Sequence, residues 1–204
     1  MVTVGADRVL VESRLVGGQL CCPDCRAVLR PWGWARARQV RGVGGLRPRR
    51  ARCTGCLVTH VLLPVTVLLR RADGVRVVWA ALLARAGGRG HRPISTVLEV
   101  PKSTVRGWLR RMSGRLESVR LHFLQVALSA GVDVSVPKAA GSAWRNLMAT
   151  IGFATTAVTA RFGATGVVGA VTPWQLAASA SGGRLLSPGW PVAPMVTGSN
   201  TSCP

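Results

Sequence analysis

Acidic side chains are the scarcest chemistry in this chain: 7 Asp and Glu stand against 27 Lys and Arg, and the net charge is +20. Two-metal phosphoryl transfer needs clustered carboxylates to hold its ions. Beyond residue 112 only Glu117 and Asp133 remain, so a catalytic nuclease or transposase site of that kind is not expected. Lysine is almost missing as well, since only Lys102 and Lys138 are present. Part of that bias fits a GC-rich genome that favours arginine codons, but codon bias does not explain the missing acids. Long apolar runs are also lacking. The N-terminus has no basic segment followed by an apolar stretch, so no targeting signal is expected. The least charged stretch, Phe162 to Gly183, is interrupted by Gly163, Gly166, Gly169, Pro173 and Gln175, a weak pattern for a membrane span. Without these features the expectation is a cytoplasmic protein, where cysteines stay reduced and free to bind metal.

What is present is uneven. Between Arg26 and Arg120 there are 21 basic residues and 3 acidic ones. Such an excess points to a polyanion. Arginine forks suit phosphates and guanine edges, which favours double-stranded DNA over a small-molecule substrate.

Two C-x2-C pairs, Cys22-Pro23-Asp24-Cys25 and Cys53-Thr54-Gly55-Cys56, are separated by 27 residues. Zn²⁺ takes four soft ligands in a tetrahedron, and each turn offers two thiolates from one side. A disulfide framework lacks the expected secretory context, and no βαβ pattern supports a redox motif. An iron–sulfur cluster is the remaining four-cysteine reading. Structural Zn²⁺ on Cys22, Cys25, Cys53 and Cys56 fits best, because four thiolates leave no open position for water. Cys21 offers a C-x3-C alternative to Cys22, and His60 stands four residues after Cys56 as a competing ligand, a support for one, or a phosphate-facing group. Cys203 reads as a bystander.

Between the pairs, Ala35 to Arg41 and Arg47 to Cys53 flank Gly42-Val43-Gly44-Gly45, a pattern for two strands around a glycine turn. Arg36 and Arg38 then share one face, as do Arg47 and Arg49, so a row of guanidinium groups can follow a phosphate backbone. Arg50 and Arg52 add to the same hairpin. Trp32 and Trp34 flank it, either as ordinary core or as stacking groups for a base or sugar. Arg8 to Val16 is read as a β-prone run, and Val58 to Leu63 as a third extended segment.

From Val75 the period becomes helical, with Val75, Val78, Trp79, Leu82 and Leu83 on one face. Next come two short helices, around Arg92 to Leu98 and Lys102 to Met112. Ile94, Val97 and Leu98 of the first and Val105, Trp108 and Leu109 of the second face inward, with Val100 in the turn. Lys102, Ser103, Thr104, Arg106, Arg110 and Arg111 are left to face DNA. Leu116 to Leu128 is amphipathic and leaves a homodimer helix open. Trp144 to Thr159, with Trp144, Leu147, Met148 and Ile151 on one face, suggests one more helix, and residues from Ser187 onward read as a disordered tail.

The stretch Gly90 to Arg111 resembles the helix-turn-helix of bacterial resolvases, transposases and small regulators. It departs from that pattern at Glu99, where glycine is common, and at Pro101, in the cap position. The order of cysteine knuckles, arginine hairpin and helix pair resembles the DNA-binding front end of insertion-sequence transposases. The strings Cys22 to Cys25, Arg52 to Pro64 and Thr104 to Trp108 resemble an uncharacterised actinobacterial family of helix-turn-helix proteins, over roughly residues 20 to 112. The resemblance implies DNA binding and an association with mobile elements, and no known catalysis.

The expected fold is therefore α+β. A small β zinc ribbon with an N-terminal strand (1–66) precedes a helix-turn-helix domain (67–131) and a low-complexity, partly helical, partly disordered C-terminal region (132–204). The expected function is non-catalytic, sequence-specific DNA binding, in transcription regulation or beside a transposase partner, with the protein cytoplasmic and nucleoid-associated. Two alternatives stay open: an inactive or truncated transposase derivative, and a membrane-associated protein through residues 132–204.

Overall fold

Asp7 decides the first helix. Its carboxylate accepts hydrogen bonds from the backbone N–H groups of Val9 (2.8 Å) and Leu10 (3.1 Å), so the β-prone residues that follow become helix α1, Arg8–Val16. A cap of this type contributes about 1 kcal/mol, enough to outweigh the weak strand preference of a nine-residue stretch. The expected strand at Arg8 to Val16 is thus corrected to a helix, and the N-terminal strand is instead β1, Val2–Val4. The computed structural model describes residues 1–131, 137–163 and 171–191. Asp133 and Cys203 lie outside them.

Four strands form the main sheet in the order β1, β6 (Thr59–Pro64), β5 (Arg49–Cys53) and β2 (Leu29–Trp34). β1 runs parallel to β6, and the other neighbours are antiparallel. A separate hairpin joins β3 (Arg38–Val40) to β4 (Gly44–Leu46). The expected glycine turn therefore exists, but Arg49–Cys53 does not pair back onto Ala35 to Arg41. It pairs with Leu29–Trp34, because that alignment buries Leu29, Ala51 and Cys53 on one face, under Leu15 of α1. Alternation in a strand permits only one face to be buried this way.

The helices follow as α2 (Val75–Ala86), α3 (His91–Leu98), α4 (Lys102–Ser113), α5 (Leu116–Ser129), α6 (Ala143–Phe162) and α7 (Pro173–Ala180). One apolar core runs through all of them, from Leu68 to Trp190. It does not stop at residue 131: Leu147, Ile151 and Ala154 of α6 and Leu176 and Ala177 of α7 are as buried as the centres of α2 and α4. Of the tail expected from Ser187 onward, residues 192–204 lie outside the described residues, and Trp190 is tied to the core. Trp190 is buried edge-on to Phe123 and His122, and Arg115 donates to the carbonyls of Ser187 and Trp190. Two inward assignments also change. Val97 is 66% exposed while Ser95 takes the buried position and bonds Val100 O at 2.7 Å, and on α2 Ala81 replaces Leu83. No helix among the described residues is long and apolar enough to cross a membrane.

Candidate metal centre and arginine surfaces

The two cysteine turns have the same backbone. In each, the N–H of the first cysteine bonds a carbonyl five residues on, Cys22 to Ala27 (2.8 Å) and Cys53 to Val58 (3.0 Å). In each, the residue after the second cysteine is left-handed, Arg26 at φ 63° and Leu57 at φ 62°. Thr54 binds the two turns together, donating from both N–H (3.0 Å) and hydroxyl (3.1 Å) to Val28 O. The register that sets Cys53 opposite Leu29 brings the second turn to the same end of the sheet as the first.

The four thiols of Cys22, Cys25, Cys53 and Cys56 consequently converge, with all Sγ atoms within 4.8 Å of one another. Cys22 and Cys56 lie 3.7 Å apart, and Cys25 and Cys53 3.2 Å apart. Metal–sulfur bonds of about 2.3 Å in a tetrahedron place the sulfurs about 3.8 Å apart, so this donor set fits a metal ion with small adjustments. Crowding divides the thiols. Burial raises the Cys53 pKa, but hydrogen bonds from Cys25 and from the backbone of Cys56 and Gly55 outweigh it and bring it down to about 6. At Cys56 a backbone bond from Val58 lowers the pKa, yet burial and the neighbouring thiols push it up to about 12. Four thiolates cannot share this space without a cation between them.

Gly55 is required by proximity. A Cβ there would meet Ala27 Cβ at 2.8 Å and Cys25 Sγ at 3.4 Å. His60 is 1% exposed, so it does not face a phosphate. Its Nε2 lies 3.3 Å from Cys22 Sγ and its Nδ1 2.9 Å from the Met1 amino group. Burial, then the charge of that amino group, lowers its pKa, and a neutral ring donating from Nε2 to the thiolate satisfies both neighbours. Cys22, Asp24 and His60 also lie close enough for one ion, whereas Cys21 is not part of either group.

The sheet arginines are engaged with the protein itself. Arg49 makes a two-pronged ion pair with Glu12 of α1 (2.9 Å at each prong) and donates to Gly33 O at 2.8 Å. It also lies over the Trp34 ring at 4.7 Å, with Arg47 on the same ring at 6.0 Å. Arg52 lies over Trp32 at 4.6 Å and donates to Leu57 O. The two tryptophans are not core: they are 53% and 44% exposed. A shift in strand register between Pro31 and Gly33 places Trp32 outside the ladder. Arg36 is exposed in the loop before β3, and Arg38 is half-buried at its start.

On α4, Val105, Trp108, Leu109 and Met112 are buried. Lys102, Ser103, Arg106, Arg110 and Arg111 are exposed and Thr104 is half-buried. Among the described residues none of these basic groups has an ion pair. Between α3 and α4 Glu99 adopts a left-handed φ of 52°, which explains why glycine suits such a turn, and Val100 beside it is buried. Sequence reasoning missed Glu12 as the partner of Arg49; Asp7 five residues earlier is the local signal that this stretch is helical and projects Glu12 toward the sheet.

Comparisons of the chain with protein families, with characterised proteins and with solved structures gave no match.

Proposed function

We propose that this chain is a non-catalytic, sequence-specific DNA-binding protein in which four thiolates hold a structural Zn²⁺ and α3–α4 act as a helix-turn-helix. The observation that carries the reading is the state of α4: a helix anchored by four buried apolar residues, presenting Lys102, Arg106, Arg110 and Arg111 without carboxylate partners among the described residues. A recognition helix needs that division, with its N-terminal residues free for base edges and its arginines for phosphates. Zinc is favoured by an all-sulfur, closed set of donors. A zinc-ribbon role for the sheet follows: the ion fixes the end of β5, whose other end leads into the arginine-bearing loop. A role in transcription regulation or beside a transposase, a homodimer and a cytoplasmic, nucleoid-associated location belong to the same proposal.

Binding of labelled duplex to the purified protein tests it. About six phosphate contacts predict a loss of about a thousandfold in affinity between roughly 50 and 200 mM salt. Absent or salt-independent binding overturns the reading. Metal analysis of the same sample is expected to give one Zn²⁺ per chain.

A further inference from the structure

A second basic site lies away from the sheet. Arg70, Arg71 and Arg184 line an open cleft of about 450 Å³ together with Leu69, Ser187, Pro188, Gly189 and Trp190. That volume lies within the roughly 300–1,000 Å³ of small-ligand sites. Three cationic side chains share the cleft, yet the ion pairs among the described residues are Arg41–Asp73, Arg49–Glu12 and Arg120–Glu117, all elsewhere. Arg71 donates to Leu186 O at 2.8 Å, which fixes its guanidinium, but its Nε is shut off from solvent and has no hydrogen-bond partner. Behind it, Arg115 donates to Leu185 O, Ser187 O and Trp190 O and so holds the wall of the cleft in place. Burial, then the charge of Arg111 on α4, lowers the pKa of both Arg71 and Arg115. Positive charge is thus gathered at a concavity, and among the described residues no carboxylate pairs with it. Folding such a group without a counter-charge costs stability.

We propose that the cleft of Arg70, Arg71 and Arg184 binds a phosphate group. Guanidinium forks match the tetrahedral oxyanion through paired N–H donors, and Arg71 is already oriented by its bond to Leu186. The phosphate comes either from a DNA backbone, since Arg111 of α4 is near enough for its charge to act on Arg71, or from a free phosphate or phosphomonoester. The site does not depend on the DNA-binding reading.

Arg70 and Arg184 are exposed and, among the described residues, their side chains make no ion pair, so Arg70→Gln/Arg184→Gln isolates the site. Titration calorimetry of the full chain with inorganic phosphate, at ionic strength held constant with chloride, is expected to show saturable binding that the double variant weakens at least about tenfold. Heats no larger than those for chloride, or equal affinity in wild type and variant, overturn the proposal. Should the double variant fail to fold, Arg184→Gln alone is read, with about threefold weakening expected and none overturning the proposal. Competition then identifies the source. Displacement of a short duplex by saturating phosphate assigns the cleft to a backbone phosphate, and undisturbed duplex binding assigns it to a free one. Phosphate binding by a protein that binds no duplex leaves this site standing and removes only the DNA-binding reading.

Discussion

The arginines of the sheet and those of α4 differ in what they touch. Arg49 is held by Glu12, Gly33 O and the Trp34 face, Arg52 by Leu57 O and Trp32, Arg30 by Val16 O, and Arg41 by the buried Asp73. Arg106 and Arg110 have no such partner among the described residues and project from a helix whose other side is locked into the core. A guanidinium already bonded within the protein must break those bonds to reach a phosphate, whereas a free one gives up only water and counterions. The sheet therefore uses much of its charge for its own architecture, and α4 keeps its charge available. Arg36, Arg47 and Arg50 are the exposed exceptions, and they confine any polyanion contact of the sheet to the loops and the exposed face of β5.

Metal removal gives the largest separation of the two regions. The sheet core is small (Val4, Leu15, Cys22, Leu29, Ala51, Cys53 and Leu62) and two of its members are proposed ligands. Structural zinc contributes about 10 kcal/mol or more to such small units. A chelator, or Cys53→Ser, is expected to abolish amide protection in β5 and β6 while the amides of α5 and α6, in a separate and larger apolar core, stay protected. Hydrogen exchange resolves the two, and intact β5 protection without metal would refute the idea. The next effect concerns function. Arg106→Ala and Arg110→Ala are each expected to cost about 1–3 kcal/mol in duplex affinity. Arg49→Ala is expected to cost about 1–3 kcal/mol of stability, from the lost charged hydrogen bonds, and to change affinity less than about twofold. If Arg49→Ala weakens DNA binding as much as Arg106→Ala, the contrast drawn between sheet and helix is wrong.

This contrast also marks what could be read from the chain beforehand. The cysteine pairs and the inner face of α4 were legible because each rests on local spacing: two C-x2-C turns, and Val105, Trp108, Leu109 at helical period. The partner of Arg49 was not, because Glu12 lies 37 residues away and belongs to a segment whose β-branched composition hides a helix set by Asp7. Strand pairing failed for a similar reason. Gly42 to Gly45 signals a turn but does not say how far the following strand extends, and the burial of Leu29 beside Cys53 is a non-local preference. The packing of the C-terminal helices onto the core was not legible because alanine-rich helices pack closely without the large apolar residues that announce a core: Ala154, Ala157, Ala177 and Ala178 are all fully buried.

Gly55→Ala probes the proposed metal site more gently than ligand removal. The added methyl would meet Ala27 Cβ at 2.8 Å and press the two cysteine turns apart. Overpacking of this kind costs about 1–3 kcal/mol, read as weaker metal retention in competition with a chelator. Ala27→Gly in the same chain is expected to restore retention; if it does not, the contact between the turns is not the cause. On the helical side, burial lowers the His122 pKa below its ordinary 6.5, against a raising bond to Ala180 O. The unfolded chain then binds the proton first, so stability is full above about pH 6.5 and declines as pH falls from there toward the lower folded value. Thermal melts of α5–α7 at pH 5 and 7 check this, with His122→Gln expected to flatten the difference.

The smallest effect lies at the joint between α3 and α4. Glu99 holds a left-handed backbone that costs a non-glycine residue about 1 kcal/mol, and its exposed carboxylate stands beside the start of the proposed recognition helix. Two substitutions separate these properties. Glu99→Gln keeps the backbone cost and removes the charge, so stability is expected to hold while duplex affinity rises up to about threefold, from reduced repulsion of phosphates. Glu99→Gly removes both, and is expected to raise affinity by the same factor and stability by roughly 0.5–1 kcal/mol, the backbone gain offset in part by a freer unfolded chain. Equal affinity in wild type and both variants would mean that the start of α4 does not approach a phosphate backbone. The free arginines Arg106 and Arg110 would then have to meet DNA from the far end of the helix, which would place the duplex over the Arg111 side instead of over Lys102 and Ser103.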